Sequence, residues 1–422
     1  MRIYFVGIGG IGMSALAQLL QDRGDQVVGS DRAESPVTAL LVDKGITVFI
    51  GHRAENIPSD TELLVYSDAV PKDNPERIAA RSESIPEKSY FEMLGEVSKG
   101  KRTIAIAGTH GKTTTTGMLA KLLIDAGESP TAIVGSLMKD FGSNYVSGTS
   151  DLFVVEACEY KDHLLELSPE ILIITNIEWD HTDWFPSLEA TQETFRKAVE
   201  KVPALGAVVA NPADTNIPRV LDIATARIID YMKEPAYELL LPGAFNQMNA
   251  RAAVAVARLV RPDLSEAEIA NSLKSFHGTW RRFEYKGATV KGTAVYDDYA
   301  HHPTAVRATL AAFRAKTKGK LYVAFHPHLF SRTRDLLDAF STAFADADEV
   351  YIAPIFAARE KDNGTISNQT LAERISRTGT HARALNSFDD IEKALRGAGQ
   401  DDLIVTMGAG DIYKLADALV QK

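Results

Sequence analysis

The sequence has one cysteine in 422 residues, Cys158, so an internal disulfide framework is excluded and a reducing compartment fits. It has no basic block: 46 Lys and Arg stand against 56 Asp and Glu, for a net charge of −10. That argues against non-specific nucleic-acid binding and leaves room only for a local basic pocket around a small anion. No apolar run reaches the ~18 residues of a membrane span. The opening stretch MRIYFVGIGGIGMSALAQLL is apolar but broken by glycines, without a signal-peptide layout. Low-complexity tracts and repeats of solenoid length are also missing. The expectation is a soluble cytoplasmic protein of about two to four domains, without nucleic-acid partner or membrane insertion.

What is present is a rhythm of short apolar strands and helical stretches. RIYFVG reads as a buried strand, MSALAQLLQDRG as a helix ending at Gly24, and DQVVGSD as a second strand. GITVF, TELLVYS and SIPEKS continue it, and the charged EVSKGKR (96–102) reads as a linker. A second start follows at TIAIAGTHGKTTTTGMLAKLLIDAG, with DLFVVEA, ILIITNIE and GAVVAN as further strands. A third comes at GTAVYDDYAHHP, followed by KLYVAFHPH, ADEVYIAPI and DDLIVTMGAG. This is the pattern of α/β domains with parallel sheets, here three of them. Each strand runs into polar or glycine-rich residues, at the carboxyl edge where open α/β sheets bind ligands.

The second start carries AIAGTHGKTTTT (105–116). Gly108 and Gly111 let the backbone curl around an anion, the loop amides and helix N-terminus face the phosphates, and Lys112 adds a full charge. Thr113 is placed to ligate Mg²⁺, as in phosphate loops generally. Ile106 stands where the longer motif has its first glycine, and four threonines in a row are poor helix formers. Glu156, Asp180 and His181 follow apolar strands downstream and are candidate metal ligands.

The first start carries Gly7, Gly9 and Gly12 as G-x-G-x-x-G, with Asp31 about 20 residues on, the fingerprint of a pyrophosphate-binding turn. Alone it suits an NAD-dependent oxidoreductase as well as a protein that holds a nucleotide sugar. A second nucleotide loop in the same chain favours a diphosphate substrate here and ATP there.

With GIGGIGMSALA, GTHGKTTTT, NIEWDH, WRRFE, DDYAHHPTA and PHLFSRTRDL in this order along nearly the whole chain, the sequence resembles the Mur ligases. These enzymes add amino acids to the UDP-linked muramyl precursor of peptidoglycan. The resemblance implies a Rossmann-like UDP-sugar domain (1–99), a central P-loop ATP domain (100–279) and a Rossmann-like C-terminal domain for the amino acid (280–422). It implies ATP and Mg²⁺, and an amide formed through an acyl phosphate. The resemblance is greatest to the members that join L-alanine to UDP-N-acetylmuramate, with those that recycle murein tripeptide next. Gly9, Gly10, Ile11, Gly12, Asp31 and Ser67 would bind the UDP-sugar. Gly108, Thr109, His110, Gly111, Lys112, Thr113, Thr114, Asn246, Asn249, Arg282 and Asp298 would bind ATP. Thr113, Glu156 and His181 would hold metal. Tyr299, His302, His328 and Arg332 would line the pocket for the amino acid and the sugar's carboxylate, and Lys112, His301 and Arg282 would serve catalysis. A monomer or homodimer is expected.

The sequence departs from the family at several points. EACEYK (156–161) replaces E-A-D-E-S-D, Phe245 stands where histidine is usual, His326 where glutamine is frequent, and Leu329 where arginine is common. The stretch from GAVVANPADT to LLLPGAF is shorter than usual.

Overall fold

The structure, a computed structural model, describes residues 1–420. Its first sheet holds five parallel strands: β1 (Arg2–Val6), β2 (Gln26–Asp31), β3 (Thr47–Ile50), β4 (Leu63–Tyr66) and β5 (Glu87–Ser89), in the order β3-β2-β1-β4-β5. The order reverses between β1 and β4, which opens a crevice at their carboxyl ends. Helices α1 (Ile11–Asp22), α2 (Pro36–Asp43), α3 (Pro75–Ser82) and α4 (Tyr90–Ser98) connect the strands and complete the layer. Ile3, Tyr4, Phe5 and Val6 are all fully buried, because a central parallel strand is covered on both faces. Gly24, at φ +93°, ends α1 as the sequence suggests.

The expected linker at 96–102 is a difference. Glu96, Val97 and Ser98 are the last turn of α4, and Arg102 already belongs to the next strand. The reason lies seven residues upstream, where Ser89 and Glu92 form a reciprocal capping box that starts the helix. Val97 is then buried, so the charged residues around it are only its outer face.

The second sheet has seven strands: β6 (Arg102–Ala107), β7 (Thr131–Met138), β8 (Ser143–Val146), β9 (Leu152–Glu156), β10 (Ile171–Ile174), β11 (Ala207–Ala210) and β12 (Arg227–Asp230). Their order is β12-β11-β10-β6-β9-β7-β8, with only β8 antiparallel to its neighbour. Its helices are α5 (Lys112–Asp125), α6 (Leu188–Glu200), α7 (Pro218–Leu221), α8 (Ala244–Val260) and α9 (Glu266–Lys274). β6 is central, so the loop between β6 and α5 opens between the ends of β9 and β10.

The third sheet has six strands: β13 (Glu284–Ala288), β14 (Ala294–Asp298), β15 (Leu321–Phe325), β16 (Glu349–Ile352), β17 (His381–Ala384) and β18 (Leu403–Met407). Their order is β13-β14-β18-β15-β16-β17, parallel except for β13. Helices α10 (Pro303–Arg314), α11 (Phe330–Asp335), α12 (Leu337–Ser341), α13 (Asn368–Ser376), α14 (Phe388–Leu395) and α15 (Tyr413–Val420) surround it. All five residues of the central strand β18 are buried.

The described chain forms two compact units. One comprises Met1–Glu178, Thr191–Leu240 and Met248–His277, with the first two sheets. The other comprises Trp179–Ala190, Leu241–Gln247 and the chain from Gly278 on, with the third sheet. Among the described residues, no helix is long and apolar enough to cross a membrane.

Candidate active site

In the first unit the loop after β6 is shaped by two positive-φ glycines, Gly108 at +131° and Gly111 at +83°. Neither has room for a side chain: a Cβ on Gly108 would lie 2.0 Å from Thr175 Oγ1, and one on Gly111 2.2 Å from Asn249 Oδ1. The loop is fastened to the end of β10. Thr109 N donates to Asn176 O (3.0 Å), His110 N to Asn176 Oδ1 (2.9 Å), and Thr175 Oγ1 to His110 O (2.6 Å). The helix starts at Lys112, and Thr113 and Thr114 in its first turn are buried. Such a frame presents backbone donors without reorganisation, which is what a phosphate group requires.

Lys112 Nζ donates to Glu159 Oε2 (2.9 Å) and Oε1 (3.2 Å), to Thr109 O (3.2 Å) and to Gly108 O. Burial disfavours the ammonium, but the Glu159 carboxylate more than offsets that and holds its pKa above the ordinary lysine value. Lys112 is therefore a cation at any working pH. Glu156 ends β9, and its Oε2 accepts from Gly135 N of β7 at 2.9 Å. Beside them Cys158 is half-buried, and loss of water around it, then Glu159, pushes its thiol up to about 12, so it is no thiolate nucleophile at neutral pH.

At the crevice of the first sheet, Gly10 precedes α1 as its N-cap and Ile11 opens the helix. Gly9 N donates to Asp31 Oδ2 (2.9 Å), tying the glycine turn to the end of β2. Ser67 lies across the switch point, its Cβ 3.2 Å from where a Cβ on Gly7 would be. Gly12 has a reason of its own: a Cβ there would come within 2.6 Å of the Tyr90 ring.

In the second unit, Asp180 and Arg332 form an ion pair at 2.6 Å with both side chains almost fully buried. Burial works against the carboxylate, but Arg332, aided by His181, His302 and His301, holds its pKa well below the usual range. Arg332 Nη1 also donates to His328 Nδ1 (3.0 Å). Burial and the Arg332 charge push His328 down to about 3 and hold His301 well below its ordinary value. His301 and His328 have ring centroids 6.0 Å apart, and His301 Nδ1 meets Tyr299 O at 2.9 Å. His302 caps α10, accepting from Thr304 N, and reaches Trp179 O at 3.2 Å. Arg282 lies over the Tyr299 ring, 4.9 Å from its centroid. Both oxygens of buried Asp298 are engaged, by Phe283 N (2.8 Å) and Ala300 N (2.9 Å). Asn246 donates to Pro242 O at 2.7 Å.

Three family models cover most of the chain. The Mur ligase family catalytic domain matches residues 2–102, the Mur ligase middle domain 106–237, and the Mur ligase glutamate ligase domain 281–410. A UDP-N-acetylmuramate–L-alanine ligase of Clostridium acetobutylicum is 39% identical over 100% of this chain and 98% of its own length. The chain belongs to the Mur ligase family. A like-named relative from Clostridium botulinum is 38% identical over 99% of this chain and 97% of its own. The crystal structure of a UDP-N-acetylmuramate–alanine ligase from Thermotoga maritima superposes with a TM-score of 0.82 at 30% identity, covering 100% and 98% of the two chains. A murein peptide ligase from Psychrobacter arcticus shares the fold at a TM-score of 0.76 and 24% identity, over 99% and 98%.

Against this Mur ligase framework the sequence-derived residues sort by unit. The glycine turn with Asp31 and Ser67, and the phosphate loop with Glu156 and Asn249, lie in the first unit. Asn246, His181, Arg282, Asp298, Tyr299, His301, His302, His328 and Arg332 lie in the second. Asp180, read as a candidate metal ligand, has Arg332 as its partner, and Arg332, expected in a pocket wall, is 1% exposed. Sequence reasoning missed Glu159, Thr175, Asn176 and Tyr90. Glu159 is three residues past Glu156 in a stretch without regular period, so spacing gave no distance to Lys112. Tyr90 carried no signal at all.

Proposed function

We propose that this chain is an ATP-dependent amide ligase that joins L-alanine to the lactyl carboxylate of UDP-N-acetylmuramate, a step in making the peptidoglycan precursor, in the cytoplasm. The observation that carries the proposal is the whole-length similarity to proteins named for that reaction. Residues 1–99 would hold the UDP-sugar, 100–279 ATP, and 280–422 the amino acid.

A carboxylate does not condense with an amine in water, because it is a poor electrophile. Attack of a lactyl carboxylate oxygen on the γ-phosphorus of ATP breaks the bond from that phosphorus to the β,γ-bridging oxygen, so ADP leaves and the carboxylate becomes an acyl phosphate. The loop amides and Lys112 face the charge that spreads over the transferring phosphoryl oxygens. Glu159 keeps Lys112 charged and in place. Thr113 and Glu156 offer a hydroxyl and a carboxylate, the hard oxygen donors that suit Mg²⁺, and these residues would hold it. The ion supplies further neutralisation of phosphoryl charge. The alanine amine, having lost its proton, attacks the acyl carbon, and phosphate leaves. His301 suits the role of proton acceptor: it is neutral at pH 7, and a proton on Nδ1 toward Tyr299 O leaves its lone pair on Nε2. His181 is proposed as a further metal ligand.

The test is phosphate release from ATP and Mg²⁺ with each substrate omitted in turn. Release only when UDP-N-acetylmuramate and L-alanine are both present supports the reading. Release with murein tripeptide in place of L-alanine would replace it with the recycling reaction. Lys112→Ala is expected to lower kcat by about 10²–10³-fold.

A further inference from the structure

Glu76 is a fully buried carboxylate that none of the steps above uses. Five donors converge on it. Oε1 accepts from Tyr4 OH (2.9 Å), Asn56 Nδ2 (2.9 Å) and Arg53 N (3.2 Å), and Oε2 from Ser30 Oγ (2.6 Å) and His52 Nδ1 (2.9 Å). It stands in the first turn of α3, capped by Asn74, where the helix end favours a negative charge. Burying a carboxylate is costly unless every lone pair is met, and here each is. Four of the five donors come from buried or main-chain groups or a neighbouring turn. The fifth, His52, has a ring that is 21% exposed.

The carboxylate decides the tautomer of that ring. With Glu76 Oε2 at 2.9 Å and Ser30 Oγ at 3.0 Å, and the serine proton already given to Glu76, Nδ1 must carry a hydrogen. The neutral ring then has its lone pair on Nε2, which has no protein partner among the described residues. His52 follows Gly51, whose N donates to Asp31 O (2.8 Å), and Asp31 holds Gly9 N. The glycine turn, Asp31 and His52 therefore follow one another along the carboxyl edge over β1, β2 and β3. In sheets of this kind the nucleoside half of a diphosphate ligand extends over that side.

We infer that His52, fixed as an acceptor by Glu76, reads the pyrimidine base of the nucleotide sugar, with Glu76 as the positioning residue. Uracil presents N3–H, a donor, between two carbonyls. Cytosine presents a bare N3, an acceptor. An imidazole held with its lone pair outward bonds the first and repels the second. The inference rests on the reading of the first sheet as the UDP-sugar site.

The experiment is competition of UDP and of CDP against UDP-N-acetylmuramate in the phosphate-release assay, with the full chain. The wild type is expected to prefer UDP by about tenfold, the value of one hydrogen bond. His52→Ala is expected to bring that ratio close to one, with the change in KM for the UDP-sugar rather than in kcat. Glu76→Gln offers an amide donor to Nδ1, so the ring can turn over its tautomer and the ratio is expected to move toward CDP. A ratio unchanged in His52→Ala overturns the proposal, as does an equal loss for both nucleotides in Glu76→Gln, the result of a merely structural carboxylate. If Glu76→Gln does not fold, His52→Ala alone decides. If neither nucleotide competes in the wild type, the UDP-sugar reading of the sheet itself falls, an outcome recognisable before any variant is made.

Discussion

Arg332 and Asp180 show how far a charged side chain can be taken out of water when its partner is fixed. Removing one member leaves the other charge buried and alone, which costs roughly 3–5 kcal/mol. Asp180→Asn is therefore expected to lower the thermal midpoint sharply, and Arg332→Lys not to be neutral, because an ammonium cannot bond Asp180 and His328 together as the guanidinium does. A thermal midpoint for Asp180→Asn within a degree of wild type would contradict this. His326 makes a pH prediction. Burial, against the pull of Asp411, lowers its pKa to about 4, whereas an unfolded histidine titrates near 6.5. Between those values the unfolded chain binds a proton that the folded chain refuses, so stability falls as pH drops through that window and levels off below it. The loss from this residue reaches up to about 3 kcal/mol. Denaturant titrations from pH 7 to 4 are expected to show a shallower decline in His326→Gln. Lys112 and the glycines were legible because their chemistry follows from local spacing. Glu159 and Tyr90 were not, because their partners come from elsewhere in the chain.

At the level of elements, β7 is informative. Gly135 lies on it where a Cβ would come 2.1 Å from Glu156 Oε2, so the strand leaves that carboxylate its place by lacking a side chain. Gly135→Ala is expected to displace Glu156 and lower kcat by at least about tenfold, raising the Mg²⁺ concentration needed for half-maximal rate while the circular dichroism spectrum is unchanged. Unaltered Mg²⁺ dependence would refute this. The strands were readable as apolar runs because central parallel strands are buried on both faces. The end of α4 was misread because charge composition outweighed the S-x-x-E signal at Ser89, which marked the helix start all along.

Over the whole molecule, three strand–turn–helix starts in the sequence correspond to three sheets, and this much was legible. What the sequence did not show is which segments belong together. The first two sheets share one unit, and α1 meets the β7–β8 hairpin through a buried polar network. Asn144 donates to Ser14 Oγ (2.9 Å) and Ile11 O and accepts from Gln18 Nε2 (3.2 Å), while Ser143 Oγ donates to Gln18 Oε1 (3.2 Å). No periodicity announces such a network, since its members are scattered polar residues inside apolar elements. Asn144→Leu leaves several of these groups unpaired, at about 1–3 kcal/mol. Hydrogen exchange is expected to quicken in α1 and the hairpin and to stay unchanged in the third sheet. Uniform quickening everywhere would argue against a local role.

Asp180 precedes its partner Arg332 by 152 residues. At the pace of protein synthesis that separation corresponds to roughly 8 to 30 s. During that interval the carboxylate has been made and the guanidinium has not. The strands of the first two sheets are complete by residue 230, so they can pair while Trp179–Ala190 waits in water for the sheet it will join. A charged residue in that segment keeps it hydrated until then, and the same charge that would be ruinous in a finished core is harmless in a nascent chain.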